Sequence, residues 1–188
     1  AAWRVFSDRH PGALLYLHSE VTGLGGVGED LRHVMRIADF SSDKVLFPPQ
    51  YELVCGMLGP GHLAAAYAAA DVYLSASHGE GFGLPLYEAA MCGTPTVSPR
   101  NTAQTEIAMI RTDAISYMPF DGATLWGRPT VAGLVEVLEQ AELRDFDRAR
   151  ERSRVLAYDV DRVFQERFLP MLGEAAEVLR GAGAGAIG

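Results

Sequence analysis

Short apolar runs alternate with segments of helical periodicity over much of the chain. Each run is bounded by proline, glycine or charged residues, a pattern typical of strands that are buried on both faces of a sheet. The predicted strands cover residues 13–17, 45–47, 71–75, 95–98 and 114–118. Helices are predicted between them at 29–37, 61–70, 84–91 and 103–110, and residues 2–6 are predicted to end an opening helix.

The remainder of the chain is helical in pattern. Residues 131–141, 146–157 and 160–180 carry apolar positions at helical spacing, and we expect these helices to pack on the sheet. Strands separated by helices of this length favour right-handed crossover connections. The predicted fold class is therefore α/β: a Rossmann-like parallel sheet with helices on both faces, followed by C-terminal helices.

Composition and charge narrow the functional classes. The 188 residues are 48% hydrophobic and 21% charged, which is typical of a globular domain. A formal net charge of -8 argues against nucleic acid as a partner. No apolar run approaches the roughly 20 residues of a membrane span, and no targeting segment opens the sequence, so we expect a cytoplasmic protein.

Two further features concern the cysteines and the end of the chain. Cys55 and Cys92 form neither a disulfide framework nor a zinc pattern, and we expect two buried free thiols. Glycine and alanine alternate over residues 181–188, which offer little to bury. We therefore expect one domain over residues 1–180 and a flexible tail over 181–188.

A glycine-rich loop joins the third predicted strand to the helix at 84–91. In open α/β sheets ligands bind at the carboxyl ends of the strands, and glycines there let a ligand approach the backbone closely. Pro85 lies in the first turn of the helix, where it costs no hydrogen bond. The N–H groups of Gly83 and Leu84 can then point outward with the positive end of the helix dipole, which suits a phosphate group.

Two carboxylates flank this loop. Glu80 lies within it and Glu88 lies inside the following helix, so both could face one pocket. An ionised carboxylate can accept hydrogen bonds from the adjacent hydroxyls of a ribose or a hexose. Two glutamates at this separation are, however, also common as solvated surface residues.

Four linked segments resemble the retaining glycosyltransferases of family 4, also called group 1, which have the GT-B architecture. The sequence Glu80-Gly81-Phe82-Gly83-Leu84-Pro85 with Glu88 is similar to the E-x7-E motif of that family. Residues 64–75 resemble its alanine-rich helix and AADV strand, residues 90–97 its A-C-G-T-P turn and strand, and residues 44–49 the strand before its nucleotide-base loop. Glu106 resembles the acidic residue of a later helix in the family.

The resemblance implies a site for a nucleotide diphosphate sugar, the donor of a hexose. Glu80 is the implied catalytic residue, meeting the hydroxyls of the donor sugar, and Glu88 would bind the ribose. Donor-binding roles are also implied for Gly81, Phe82, Gly83, Leu84, Pro49 and Gln50, the last two near the base. His78, by its place in the loop, is a further hydrogen-bond candidate. No metal ligand set and no cofactor is implied.

The family also has parts that this sequence does not contain. A strand and a Gly-Arg…Lys-Gly segment, whose basic side chains grip the diphosphate, precede the region that matches. The strands here would then be the second to sixth of a 3-2-1-4-5-6 sheet, and this chain by itself is expected to be inactive. Arg100 is the nearest candidate cation within the match. The acceptor glycan, lipid or small molecule would be bound by an upstream domain, which would also make any peripheral membrane contact.

Other functional readings remain open at this point. The fold is equally compatible with a non-catalytic module that binds a nucleotide sugar, and with a sugar nucleotide epimerase. Gly23 to Gly28 contain G-x-G-x-x-G after a strand, as in NAD-binding oxidoreductases, but residues 19–22 separate that strand from the first glycine. A loop beside the donor site is the preferred interpretation of these glycines. Trp126 is interpreted as structural rather than as a platform for a sugar.

Overall fold

Three groups of strands form the sheets of this protein. The computed structural model describes residues 1–23, 28–39, 42–119 and 125–184. Two strands, β1 (Leu15–Tyr16) and β2 (Val45–Leu46), pair in parallel. A second parallel group has the order β3 (Tyr73–Leu74), β4 (Thr96–Pro99) and β5 (Ile110–Thr112). An antiparallel hairpin follows, consisting of β6 (Ile115–Pro119) and β7 (Leu125–Pro129).

Helices connect and flank the strands. They are α1 (Ala2–Arg9), α2 (Leu31–Ile37), α3 (Gln50–Val54), α4 (Pro60–Ala69), α5 (Leu84–Met91), α6 (Gln104–Ile107), α7 (Val131–Glu142), α8 (Arg148–Val155), α9 (Val160–Val163) and α10 (Leu169–Ala184). Short 3-10 turns precede β2 and follow α8, and one π-helical segment joins α9 to α10. The α/β class with parallel strands between helices is therefore confirmed.

The fifth predicted strand is wrong in position and in pairing. Residues 114–118 were expected to extend the parallel sheet, but this segment pairs antiparallel with β7. The parallel strand next to β4 is instead Ile110–Thr112, which shortens the predicted helix at 103–110 to Gln104–Ile107. Arg111 interrupts the apolar pattern of this strand, so its sequence does not resemble a buried strand. The pairs β2-β1 and β3-β4-β5 follow the order 3-2 and 4-5-6 of the expected sheet.

The core lies on both faces of the β3-β4-β5 sheet. Strand β4 is fully buried, and its neighbour β3 alternates its side chains between the two faces. On one face Tyr73 packs with helices α5, α6 and α8 through Leu86, Tyr87, Ala90, Ile107, Ala108 and Val155. On the other face Val72 and Leu74 pack with Val97, Ile110, Val137 and Ala141, the last two from α7. The sheet thus fixes the end of β3 between two apolar layers.

Helix α1 is joined to α7 by charged side chains. Glu139 accepts hydrogen bonds from Arg9 at 3.2 Å and forms a further one with His10 at 3.0 Å. Hydrogen bonding to His10 and then to Arg9 lowers the pKa of Glu139, against the opposing effect of desolvation. The ring of His10 also stacks on Phe6, with the two ring centres 4.3 Å apart. These contacts attach α1 to α7, which itself packs on the central sheet.

Helices α7 and α8 pack on the sheet as expected, but residues 160–180 leave their apolar side chains exposed. Phe164 and Phe168 are each nearly half exposed, and Val178 and Leu179 are more than two-thirds exposed. Helix α10 continues to Ala184, beyond the start of the predicted tail. The apolar pattern of residues 160–180 correctly indicated helix, but periodicity alone does not identify the surface that covers the apolar side.

The predicted burial of the cysteines is corrected as well. Both thiols are free, but Cys55 is exposed and Cys92 is only partly buried. Burial raises the pKa of the Cys92 thiol, an effect that the nearby Arg152 opposes. Within the described ranges, the helices are too short or too polar to span a lipid bilayer.

Replacing Glu151 with glutamine is expected to stabilise the fold near neutral pH. Glu151 lies on α8 and is 1% exposed; burial raises the pKa of its carboxyl, although Arg154 lies 3.5 Å from Oε2 and acts in the opposite direction. A carboxyl whose pKa is higher in the folded state adds stability at low pH and loses it as the pH rises through that raised pKa. Glu151→Gln avoids this loss.

The measurement is urea unfolding between pH 4 and pH 8. The unfolding free energy of Glu151→Gln should exceed that of the unsubstituted protein by about 1 kcal/mol at pH 8, and the difference should shrink toward pH 4. Glu166→Gln is the control, since Glu166 is 57% exposed and pairs with Arg162 at the surface. An equal gain at both ends of the pH range would show that the Glu151 carboxyl does not titrate as described.

Candidate functional site

The β3–α5 loop, residues 75–83, leaves the carboxyl end of the central sheet. Its first part is held by a buried polar pair: Ser75 Oγ donates to Gln104 Oε1 at 2.6 Å. Gln104 Nε2 in turn donates to the backbone oxygen of Ser77 at 3.1 Å. Ser75 and Gln104 are both at least nine-tenths buried. Because buried polar groups need partners, this pair fixes the direction in which the loop leaves β3.

The next part of the loop is held by the β6–β7 hairpin and by the segment after β4. The carbonyl of His78 accepts hydrogen bonds from the Gly127 N–H at 3.0 Å and from the side-chain amide of Asn101. The Glu80 N–H donates to Thr102 Oγ1 at 2.8 Å. The indole of Trp126 lies beside Gly79, where a β-carbon would be 3.7 Å from it. Trp126, which the sequence analysis interprets as structural, thus lies against this loop and is 37% exposed.

Helix α5 begins directly after the loop. Gly83 precedes it with φ of +81° and ψ of +45°, the left-handed conformation that glycine adopts without steric cost. Pro85 lies in the first turn, where its missing N–H has no helical partner to lose. Gly81, Leu84 and the side chain of Glu88 are exposed. The N-terminus of α5 thus presents backbone N–H groups and a positive dipole end beside exposed residues.

The charges of Glu80 and Glu88 both act on one tyrosine. Burial raises the pKa of Tyr73, and the negative charges of Glu80 and then Glu88 raise it further. Both carboxylates therefore influence the same phenol of β3. They lie in the loop and in the second turn of α5, as the sequence indicated.

A second tyrosine orients Glu88. The hydroxyl of Tyr67, on α4, donates to Glu88 Oε2 at 3.2 Å, and the carbonyl of Tyr67 accepts from Thr94 Oγ1 at 2.5 Å. Burial and the charge of Glu88 raise the pKa of Tyr67 well above its ordinary value. Tyr67 lies in an alanine-rich segment, and nothing in the sequence marks it as a residue of the site. Its contact with Glu88 comes from the packing of α4 on α5.

The side chain of Phe82 packs against two tyrosine rings at the protein surface. Its ring stacks on Tyr87 with centres 4.6 Å apart and planes 13° apart, and its edge approaches Tyr158. The sequence left open whether Phe82 lies against a ligand or packs beneath the loop. The structure places it in an aromatic cluster, and its ring is 49% exposed.

Pro49 and Gln50 begin helix α3 at the end of β2. The Gln50 amide accepts from the Val21 N–H at 2.8 Å and donates to the carbonyl of Pro48 at 2.9 Å. A third hydrogen bond, to Ser19, joins the same two loops. Next to them is a cleft of about 460 Å³, lined by Glu20, Val21, Thr22, Arg32, Gln50, Tyr51 and Val54. The Gln50 side chain therefore joins two loops and borders this cleft.

Two other candidate residues, Arg100 and Glu106, can be placed, and one motif lies partly outside the described residues. Arg100 forms an ion pair with Asp113, with Nε and Oδ1 2.7 Å apart, and so is neutralised at the surface. Of the glycine motif at 23–28, residues 24–27 lie outside the described residues. Glu106 is exposed and close enough to Tyr87 for its charge to raise the pKa of that phenol.

Part of the chain is similar to a known family of proteins. Residues 49–119, which include the β3–α5 loop and both carboxylates, match the family described as "Glycosyl transferases group 1". A similar curated protein is the D-inositol 3-phosphate glycosyltransferase of Segniliparus rotundus, which is 32% identical over 90 residues. That match covers 48% of this chain and 18% of the relative. Residues 49–119 therefore resemble a group 1 glycosyltransferase domain.

Several solved structures have a similar fold. A GtfA/B complex superposes with a TM-score of 0.63 at 19% identity, covering 92% of this chain and 32% of the other. The pneumococcal O-GlcNAc transferase GtfA, in complex with UDP and GlcNAc, gives 0.59 at 17% identity and 92% and 31% coverage. The C-terminal domain of the group 1 protein LpcC from Francisella tularensis gives 0.52 at 18% identity and 87% and 74% coverage. The fold is that of the GT-B glycosyltransferase C-terminal domain.

Gly127→Ala is expected to displace the hairpin from the β3–α5 loop. A β-carbon at Gly127 would lie 2.5 Å from Asn101 Nδ2 and 2.8 Å from Ile115 Cγ2, so these groups must shift. Overpacking of this kind costs about 1–3 kcal/mol of unfolding free energy. Gly12→Ala is the matched control, because no heavy atom lies within 4 Å of a β-carbon there. Equal urea-unfolding midpoints for the two variants would contradict the described packing.

Proposed function

We propose that this chain is the donor-binding part of a retaining glycosyltransferase that transfers a hexose from a nucleotide diphosphate sugar. The observation that carries the proposal is the position of the two carboxylates at the β3–α5 junction, with the Glu80 N–H held by Thr102 and the Glu88 carboxylate held by Tyr67. Two ionised carboxylates there can accept hydrogen bonds from sugar hydroxyls. We assign the donor hexose to Glu80 and the ribose to Glu88.

The N-terminus of α5 supports a role for the diphosphate. Gly83 and Leu84 begin that helix, and Gly81 leaves the adjacent backbone open to solvent. Free N–H groups and the helix dipole stabilise negative charge as the nucleoside diphosphate departs. The proposed reaction passes through an oxocarbenium-like sugar with retention of configuration, and we assign it no metal and no cofactor.

The remaining assignments concern the base, the acceptor and the location. We place the nucleotide base beside Pro49 and Gln50, the second of which borders the 460 Å³ cleft. We assign binding of the acceptor, a glycan, lipid or small molecule, to another part of the protein, since the chain spans 18% of its curated relative and 32% of a structural neighbour. We also propose a cytoplasmic location, in keeping with two free cysteines.

The test is isothermal titration of the full-length protein with UDP, GDP and ADP, each alone and as its hexose conjugate, with NAD as the comparison ligand. UDP comes first because one structural neighbour is in complex with UDP and GlcNAc. Binding of one nucleotide sugar supports the proposal. Binding of NAD alone would replace it with the dinucleotide interpretation of Gly23 to Gly28.

Two glutamine variants should separate the roles of the carboxylates. Glu88→Gln is expected to weaken the nucleotide and its sugar conjugate alike by about 10- to 100-fold, the range for losing hydrogen bonds to a charged group. Glu80→Gln should weaken only the sugar conjugate and leave the free nucleotide unchanged, because it meets the hexose alone.

Glu177→Gln is the control for charge, since Glu177 is exposed on α10. Unchanged affinity in both active-site variants would overturn the assignment of the carboxylates. Tight donor binding without transfer to any acceptor, in full-length protein, would instead favour a non-catalytic module that binds nucleotide sugars.

A further inference from the structure

Three aromatic rings connect the β3–α5 loop to the C-terminal region. Phe82 stacks on Tyr87, and Tyr158 approaches both in edge-to-face geometry, with ring centres 4.7 Å from Tyr87 and 6.2 Å from Phe82. Burial, together with a hydrogen bond to Tyr158, raises the pKa of Tyr87 to about 12. We call these three residues the aromatic cluster.

Tyr158 is itself held by the core. It ends the 3-10 turn that follows α8, and Val155 at the end of α8 is fully buried. Val155 packs with Leu86 and Tyr87 of α5 in one hydrophobic cluster. The position of the Tyr158 ring relative to α5 is therefore set by the packing of α8 on α5.

Phe82 has few other restraints. Glycines precede and follow it, and glycine places little restriction on backbone conformation. Hydrogen bonds to the His78 carbonyl and from the Glu80 N–H hold the earlier part of the loop, and Gly83 begins the helix. Between the Glu80 contact and the start of α5, the Phe82 ring is thus the side chain that anchors the backbone, through its contacts with both aromatic neighbours.

We propose that Tyr158 is a positioning residue for donor binding, acting through Phe82 and without contact to the ligand. It keeps residues 81–83 in the conformation that presents the α5 N-terminus to the diphosphate. The inference rests on the proposed function, because the ligand in question is the nucleotide sugar. A residue 70 or more positions along the chain from the loop would then control its affinity.

The test is a set of variants in the full-length protein, assayed for donor Kd by titration and for Tm by thermal unfolding. Tyr158→Ala should raise the donor Kd about three- to tenfold, the range for an aromatic pair. Tyr158→Phe keeps the ring and loses the hydroxyl, so it should restore the affinity almost fully. Phe82→Ala should match Tyr158→Ala, and the double variant should be no worse than either.

Two controls separate positioning from stability. Val135→Ala removes buried side-chain volume from α7 and should lower the Tm without changing the donor Kd. Val160 lies two residues after Tyr158 and is 77% exposed, so Val160→Ala should change neither the Tm nor the donor Kd. Phe82→Leu loses the stack and keeps an apolar side chain, so it gives the same comparison if Tyr158→Ala does not fold.

The outcomes are distinct. If the unsubstituted protein binds nucleotide sugar and Tyr158→Ala lowers the Tm with an unchanged donor Kd, Tyr158 is merely structural and the inference is overturned. Additive effects of Phe82→Ala and Tyr158→Ala would overturn it also, because the two residues would then act separately. If the unsubstituted protein binds no nucleotide sugar, the proposed function fails first.

Discussion

The carbonyl of His78 is the point on which the site depends. It accepts hydrogen bonds from the hairpin, through Gly127, and from the segment after β4, through Asn101. A loop that crosses the end of a sheet has no ladder of its own, so its backbone groups must find partners elsewhere. The β3–α5 loop finds them in two segments that are far apart in sequence, and Glu80 is held between them.

Burial of the sheet makes these contacts rigid. Strand β4 is buried along its whole length, and the apolar layers on its two faces leave β3 little freedom to move. The Ser75–Gln104 hydrogen bond also sets the direction in which the loop leaves β3, because a buried hydroxyl and a buried amide can hydrogen-bond in few geometries. The backbone that carries the two carboxylates is therefore held by well-packed structure, although the Glu88 side chain itself is exposed.

Sequence reasoning was accurate where local signals were strong. Helix α5 has the predicted bounds, because Pro85 and Gly83 mark its start and Gly93 follows its end. It failed where pairing decided the structure: β6 and β7 form a hairpin whose register cannot be read from either strand alone.

The site shows the same division. Glu80, Glu88 and the glycines are in one short motif, so their proximity could be predicted. The contacts of Tyr67 and Tyr158 come from packing between separate helices, and no spacing rule reports them. The class of ligand could thus be inferred from the motif, while the residues that support the motif needed the structure.

The division has an evolutionary consequence. A motif of a few residues whose shape is imposed by Gly127, Asn101 and a distant aromatic ring can be inherited unchanged while its supports are replaced. Two descendants with the same Glu-Gly-Phe-Gly-Leu-Pro would then differ in the shape of the loop, and the substitutions responsible would lie only in the hairpin and after α8. Selection can change the shape of such a loop without altering Glu80 or Glu88.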